Sequence, residues 1–248
     1  MTAALRLAAE RIDDPRGGSK RFGSVDAIAT GLDAAFFNPI LALDPGSTPD
    51  EILAGLAWIE SRGLRASIHV RDDVDAAVRP VAEAHGLVAD DWHARVMALA
   101  PIAPVPTPHA GVTVRSGGVE LLDDLHHALE SGDVVRRLFG PALLGDPAVR
   151  AAVGYLDDEP VSAAVAIRWG GTLGIYAVGT REAARRRGFG RTTTSAAIRA
   201  GATAWGSTIA FLQSTEMGLP LYRPMGFEEI GRYIQYQRPR GNVAAEVR

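Results

Sequence analysis

The spacing of apolar positions changes repeatedly along the chain, from every second residue to every third or fourth, and each change predicts a new element. In the first hundred residues the pattern reads strand, helix, strand, helix, strand. Phe36 to Leu43 is a short apolar run stopped by Asp44-Pro45-Gly46. From Pro49 to Ser61, residues Ile52, Leu53, Leu56 and Ile59 recur at helical spacing. Thr48 fits as the N-cap, with Pro49 at the first helical position and Glu51 placed to close a capping box. Leu64 to Val70 alternates weakly as a strand. Val74 to His85 predicts a second helix, with Gly86 as its C-cap. Ala94 to Ala100 reads as the third strand. Arg16 to Gly23 is rich in glycine and cations, lacks the spacing of a phosphate-binding P-loop, and is expected to be a solvated, flexible loop.

The alternation returns after residue 110. Val112 to Arg115 reads as a strand, and Leu121, Leu122, Leu125 and Leu129 mark a helix. Val149 to Leu156 and Pro160 to Trp169 predict a hairpin across Asp157-Asp158-Glu159. Gly170-Gly171 turns the chain into another strand, Thr172 to Val178. Gly190 to Trp205 has helical spacing, although Thr192, Thr193 and Thr194 are weak helix formers. Thr208 to Ser214 reads as a buried strand. Pro220 to Arg223 predicts a short helix that Pro224 ends, because a residue before proline avoids the helical region. Glu229 to Gln237 is the last strand. No repeat of fixed period is visible.

The segment Pro101-Ile102-Ala103-Pro104-Val105-Pro106-Thr107-Pro108 separates the halves. Its prolines deny ladder hydrogen bonds and favour an extended, stiff connector. The expected domains are therefore residues 1–100 and 111–248, with residues 101–110 as linker. The 248 residues are 47% hydrophobic and 22% charged, enough for one or two globular domains. Lys+Arg is 26 and Asp+Glu is 29, so the net charge is 26 − 29 = −3. Such a balance gives no electrostatic footprint for nucleic acid or an anionic membrane surface. No apolar run approaches the ~18 residues that suggest a membrane span, and Met1 to Arg11 lacks the apolar centre of a secretory signal. A cytoplasmic location is the default expectation. The absence of cysteine excludes disulfides, thiolate nucleophiles and Cys-based metal sites.

On this mildly acidic background one stretch is locally basic. Arg185-Arg186-Arg187-Gly188-Phe189-Gly190 reads Arg-x-x-Gly-x-Gly between a strand and a helix, with Arg181 and Arg191 flanking it and Glu182 as the single acid. Such a loop turns several backbone N–H groups toward one point at a helix N-terminus. Unpaired donors and aligned peptide dipoles favour a diphosphate there. Glycine permits the unusual backbone angles and the close approach, and guanidinium geometry suits phosphate oxygens. The plainer alternative is a solvated basic turn.

The order of Ile175-Tyr176-Ala177-Val178-Gly179-Thr180, the Arg-x-x-Gly-x-Gly loop, a helix, Phe211-Leu212-Gln213-Ser214 and Leu221-Tyr222-Arg223-Pro224-Met225-Gly226-Phe227 resembles the GNAT superfamily of N-acetyltransferases. The resemblance implies an α/β (α+β) fold with a mixed, mostly antiparallel central sheet flanked by helices. Phe37-Asn38 and Val96-Met97-Ala98-Leu99 resemble the degenerate half of two-part members, which implies a smaller βαβαβ first half that binds no coenzyme. The implied reaction moves an acetyl group from acetyl-CoA, a substrate, to the primary amine of a small-molecule or peptide acceptor, by direct attack in a ternary complex and without metal. The resemblance maps the pantetheine arm onto Val178, Gly179 and Thr180, where a backbone N–H would also hold the thioester oxygen. It maps the diphosphate onto Arg185, Arg186, Arg187, Gly188, Phe189, Gly190 and Arg191. Ser214 falls where a small polar residue meets the pantetheine, and reads equally as a strand-ending serine. Tyr222, in Tyr-x-x-x-Gly-Phe, falls at the position of the general acid that protonates the departing thiolate; a packing tyrosine is the alternative.

A general base is not evident. All six histidines (His69, His85, His93, His109, His126 and His127) precede residue 128. His126 and His127 either face the acceptor cleft or, as expected here, lie on a half-exposed helix face, and His69 and His85 have no metal-site spacing. Glu120, Asp123 and Asp124 read as solvated helix acids. Glu216 directly follows the strand Thr208 to Ser214 and could act through a water, or serve as a surface or capping glutamate. A second reading therefore stands beside the enzyme: a coenzyme-binding relative without turnover that senses acyl-CoA or serves a partner. Acceptor loops are expected in Ser131 to Ala148 and parts of the first half. Assembly as a homodimer stays open.

Overall fold

The computed structural model describes residues 2–90, 94–102 and 111–239. In chain order the elements are α1 (Thr2–Arg11), β1 (Gly18–Phe22), β2 (Val25–Ala29), β3 (Pro39–Ala42), α2 (Pro49–Glu60), β4 (Ser67–Arg71), α3 (Asp75–Ala84) and β5 (Val88–Ala89). Then come β6 (Ala94–Leu99), β7 (Thr113–Gly117), α4 (Leu122–Leu129), α5 (Asp133–Leu138), α6 (Pro141–Leu144), β8 (Val149–Leu156), β9 (Glu159–Trp169) and β10 (Thr172–Thr180). The chain finishes with α7 (Phe189–Trp205), β11 (Ala210–Ser214), α8 (Leu219–Tyr222) and β12 (Glu228–Gln237). Packing divides these elements into two units: Met1–Asp14 with Ala94–Gly231, and Pro15–His93 with Arg232–Arg248. The division thus falls elsewhere than at the proline-rich segment, of which residues 103–110 lie outside the described residues. His93 and His109 lie outside them too.

In the unit built from Pro15–His93, the strands run β1-β2-β3-β4, then the part of β12 from Arg232 onward, then β5. Only β3 and β4 are parallel. Ile52, Leu56 and Ile59 of α2 pack with Ile40, Ile68 and Tyr236 in one apolar cluster. The capping box forms as expected: Glu51 N–H donates to Thr48 Oγ1 at 3.4 Å and Thr48 N–H to Glu51 Oε2 at 3.1 Å. Gly86 has the expected left-handed φ of 68°. The Arg16 to Gly23 loop is a correction: residues 18–22 are a strand paired with β2 through a turn at Gly23, φ 55°. As an end strand with a largely exposed face, it needs no apolar alternation, so the pattern hid it. Asn38 is fully buried; its carboxamide accepts from the Thr30 N–H and donates to the carbonyls of Leu32, Ala34 and Arg65. It holds together turns that have no ladder of their own.

In the other unit the strand order is β7-β8-β9-β10-β11-β6, with β10 and β11 the one parallel pair. This is the expected mixed, mostly antiparallel sheet. Val161 to Ile167 of β9 are all buried, so both faces of the sheet are covered there. Ala164 and Ala166 pack with Ala196, Ala197 and Ile198 of α7. α4 and α1 adjoin β9 and β10 and cover the opposite face. The β8–β9 hairpin turns through Asp157 and Asp158, both at positive φ (50° and 62°), as a two-residue turn matched to strand twist requires. Two expectations are corrected. Ser131 to Ala148 contains α5 and α6 rather than an open loop, and His126 is buried, at 3% exposure, with Nδ1 3.2 Å from Ser131 Oγ. No helix among the described residues is long and apolar enough to cross a membrane.

Candidate active site

β10 and β11 pair at three positions only, Leu173↔Ala210, Gly174↔Phe211 and Ile175↔Leu212. Both strands continue, to Thr180 and Ser214, without pairing each other. The cause lies in β10. Its register with β9 shifts between Tyr176 and Gly179, and Ala177 takes a left-handed φ of 49°. This bulge bends β10 while Gly179 and Thr180 stay paired with Ala163 and Ser162 of β9. β11 meanwhile remains paired to β6 as far as Ser214↔Arg95. The strands therefore part beyond Ile175, and the edge of Val178, Gly179 and Thr180 that faces β11 meets no strand among the described residues. Burial follows: Leu173 to Ile175 are buried, Tyr176 to Thr180 only half-buried.

The arginine–glycine loop follows this opened edge. Arg186 (φ 62°) and Gly188 (φ 83°) are both left-handed. Gly188 is the N-cap of α7 and offers no side chain to the first turn. The first cross-turn bond is Thr192 N–H to Gly188 O, at 3.2 Å. Seventeen residues of aligned peptides stand behind that end. A Cβ on Gly190 would lie 2.9 Å from Thr180 Oγ1, so the helix start sits directly against the end of β10.

The arginines divide by task. Arg185 Nε donates to Thr180 O at 3.0 Å, tying the loop back to the strand. Arg181 pairs with Glu159 and, at 4.0 Å, with Glu130. The Arg187 guanidinium lies 4.7 Å from the ring centre of Phe189, which is itself buried. Arg186 and Arg191 are exposed and have no ion-pair partner among the described residues. The sequence reading maps Arg185, Arg186, Arg187 and Arg191 onto the diphosphate; in the fold the Arg185 side chain is bonded to Thr180 O, and Arg181, outside that set, pairs with acids.

Across the opening, Ser214 is buried and donates to Thr215 O at 2.8 Å. Gly218 lies between it and the acid candidate: a Cβ there would sit 2.6 Å from Ser214 Oγ and 3.0 Å from Tyr222 Cε2. That close approach is what the glycine provides, and the motif alone did not reveal it. Tyr222 is 7% exposed and packs edge-on against Phe227, ring centres 5.8 Å apart. Its hydroxyl has no hydrogen-bond partner among the described residues. Burial pushes the phenol up to about 12. Pro224 does not end the helical path as expected; a 3-10 turn, Arg223–Met225, continues it.

Glu216 stands on the surface, the second of its two sequence readings. Its side chain is 71% exposed and paired with Arg95, whose Nε donates to Oε1 at 2.7 Å. Arg95 also binds Glu229 at 2.7 Å. The carboxylate is thus engaged by a guanidinium on the surface. Among the remaining acids, Asp124 accepts from the Tyr155 hydroxyl at 2.5 Å and Glu120 from the Gly118 N–H at 2.8 Å. His127 is exposed, 3.7 Å from Glu159. Among the described residues no group of three or more histidine and acid side chains is placed to hold a metal ion.

Residues 110–216 match the family model described as an acetyltransferase (GNAT) domain. No curated protein matches the sequence. A GCN5-related N-acetyltransferase from Kribbella flavida superposes with a TM-score of 0.75 over 98% of this chain and 95% of its own, at 21% identity. The tandem GNAT protein from the clavulanic acid biosynthesis pathway gives 0.62 over 96% and 89%, at 14% identity. A GCN5-related N-acetyltransferase from Sphaerobacter thermophilus gives 0.60 over 86% and 76%, at 17% identity. These likenesses establish a shared fold across both halves of the chain.

Proposed function

We propose that the GNAT domain at residues 110–216, with the Tyr222 segment that follows it, moves an acetyl group from acetyl-CoA to a primary amine. The observation that carries this reading is the parting of β10 and β11 beside a helix N-terminus capped by glycine. A diphosphate fits the first turn of α7 at Gly190 and Arg191, with the Arg186 and Arg191 side chains available to its oxygens. The pantetheine amides pair with the free edge of Val178 to Thr180 as an added strand would, which brings the thioester to the bulge.

In the reaction the amine nitrogen attacks the thioester carbon, and the carbonyl oxygen gains negative charge. A backbone N–H of the bulged stretch receives that charge. The C–S bond then breaks, sulfur keeps the electron pair, and the nitrogen loses a proton to solvent. Tyr222 faces the departing sulfur. Its phenol, at about 12, lies ~3.5 pH units above an ordinary thiol near 8.5, a gap of about 5 kcal/mol. Full proton transfer is therefore uphill, and Tyr222 acts chiefly by donating a hydrogen bond to sulfur as it leaves. With Glu216 engaged by Arg95, deprotonation of the incoming ammonium falls to water.

The test is a titration of the full chain with acetyl-CoA, followed by thiol release in the presence of amines. Saturable binding and amine-dependent release are expected. Binding without release under any amine would favour the non-catalytic sensor, and no binding would end the proposal.

A further inference from the structure

The two faces of the parted strands differ in what covers them. Leu212 of β11 packs with Ala197, Leu219 and Tyr222, on the side of α7 and α8. Side chains alternate across a strand, so Phe211 and Gln213 project to the other side. Tyr176 of β10 and Val96 and Ala98 of β6 share that side, as the register Gly174↔Phe211, Phe211↔Ala98 and Gln213↔Val96 requires. All five residues are half-buried. None is charged, and the one charged residue of β6, β10 and β11, Arg95, projects to the opposite face, where it meets Glu216 and Glu229.

Gln213 is unusual on this face. Its carboxamide makes no hydrogen bond with any described residue, and its Nε2 is shielded from solvent. An amide in that state is destabilising unless something supplies a partner. A terminal amide turns readily about its last torsion, and with no hydrogen bond to a described residue to fix it, either the oxygen or the nitrogen can be presented outward.

Tyr222 and α7 occupy one face of the opening, so a nucleophile reaches the thioester from the other. We propose that Tyr176, Phe211 and Gln213 seat the acceptor, and that the acceptor is a primary amine on an uncharged, apolar or aromatic body bearing one polar group that pairs with the Gln213 carboxamide. Gln213 is then a residue that sets specificity. A second ionic group on the acceptor would meet no counter-charge from these strands and would lose hydration on entry. This inference rests on the acetyl-transfer reading and adds the acceptor class to it.

The experiment compares initial rates of thiol release by the full chain with acetyl-CoA and four amines: 2-phenylethylamine, its ring-hydroxylated form tyramine, lysine and spermidine. Tyramine and 2-phenylethylamine should exceed lysine and spermidine in kcat/KM by about tenfold or more, with tyramine ahead. Gln213→Leu, close in volume, should shift the tyramine to 2-phenylethylamine ratio about tenfold toward the latter. Phe211→Ala should raise KM for both, and acetyl-CoA affinity is measured alongside. A preference for lysine or spermidine, an unmoved ratio in Gln213→Leu, or acetyl-CoA binding with neither tyramine nor 2-phenylethylamine acetylated would overturn the inference. Absence of acetyl-CoA binding would instead remove the acetyl-transfer reading beneath it.

Discussion

Replacing Gly190 by alanine separates coenzyme binding from stability. A Cβ at this position would lie 2.9 Å from Thr180 Oγ1 and 3.9 Å from Leu221 Cδ2. The first distance is too short for carbon against oxygen, so the start of α7 or the end of β10 has to move by a few tenths of an ångström. Overpacking of this kind costs about 1–3 kcal/mol. Alanine, however, favours a helix over glycine by about 1 kcal/mol. The net loss of stability is thus about 0–2 kcal/mol, a modest fall in Tm. Coenzyme affinity has no such offset. Misplacing one charge-assisted N–H donor to the diphosphate costs ~1.5–3 kcal/mol, which is ~10- to 150-fold in Kd. Titration calorimetry with CoA, beside thermal unfolding of the same protein, reads both quantities. Thr180→Ala removes the oxygen that the new methyl strikes, so adding it to Gly190→Ala should restore most of the affinity. A Kd within about threefold of the parent for Gly190→Ala, or a loss that Thr180→Ala does not relieve, would refute the placement of the diphosphate.

Two further outcomes follow. Tyr222→Phe should lower kcat about 10- to 100-fold, the scale of one hydrogen bond to a developing charge, while CoA affinity and the KM of the amine stay near the parent values; Glu216→Gln should cost only a few-fold, and the reverse order in steady-state kinetics would move the chemistry to Glu216. His69 is buried against Ser67, Nε2 to Oγ 3.0 Å, and burial pushes its imidazolium down to about 3. Between about 6.5, where the unfolded chain takes up this proton, and about 3, the folded state binds fewer protons than the unfolded one. Stability therefore falls as pH drops through that window. His69→Gln should flatten the change in urea midpoint between pH 7 and pH 5, and an undiminished slope would assign it elsewhere.

What the sequence announced and what it concealed differ in physical kind. The capping box at Thr48 and Glu51, the Asp157-Asp158 turn and the Arg-x-x-Gly-x-Gly loop are local: a few neighbouring residues fix their geometry, so the letters suffice. β1 was hidden because a strand paired on one side can be polar, and Gly18-Ser19-Lys20-Arg21 shows no alternation. The bulge at Ala177 was hidden for another reason. Alanine has no preference for a left-handed φ, and it is held there by pairing to β9 on both sides of the kink, a constraint from residues far along the chain. Glu216 followed the right strand and looked available; its engagement depends on Arg95, 121 positions away. His126 looked half-exposed because the helical pattern could not show that the turn at Ser131 folds back over it.

The chain changes packing unit three times, after Asp14, after His93 and after Gly231. During synthesis this imposes an order. β4 needs Tyr233 to Gln237 as an antiparallel neighbour, and β5 pairs there too. The body containing residues 15–93 therefore waits, its sheet incomplete, until residues 233–237 have been made, although most of its own residues were made first. Cutting the chain at its prolines would free no module: one fragment would carry β6 away from β11, and the other would strand the tail of β12 without β4.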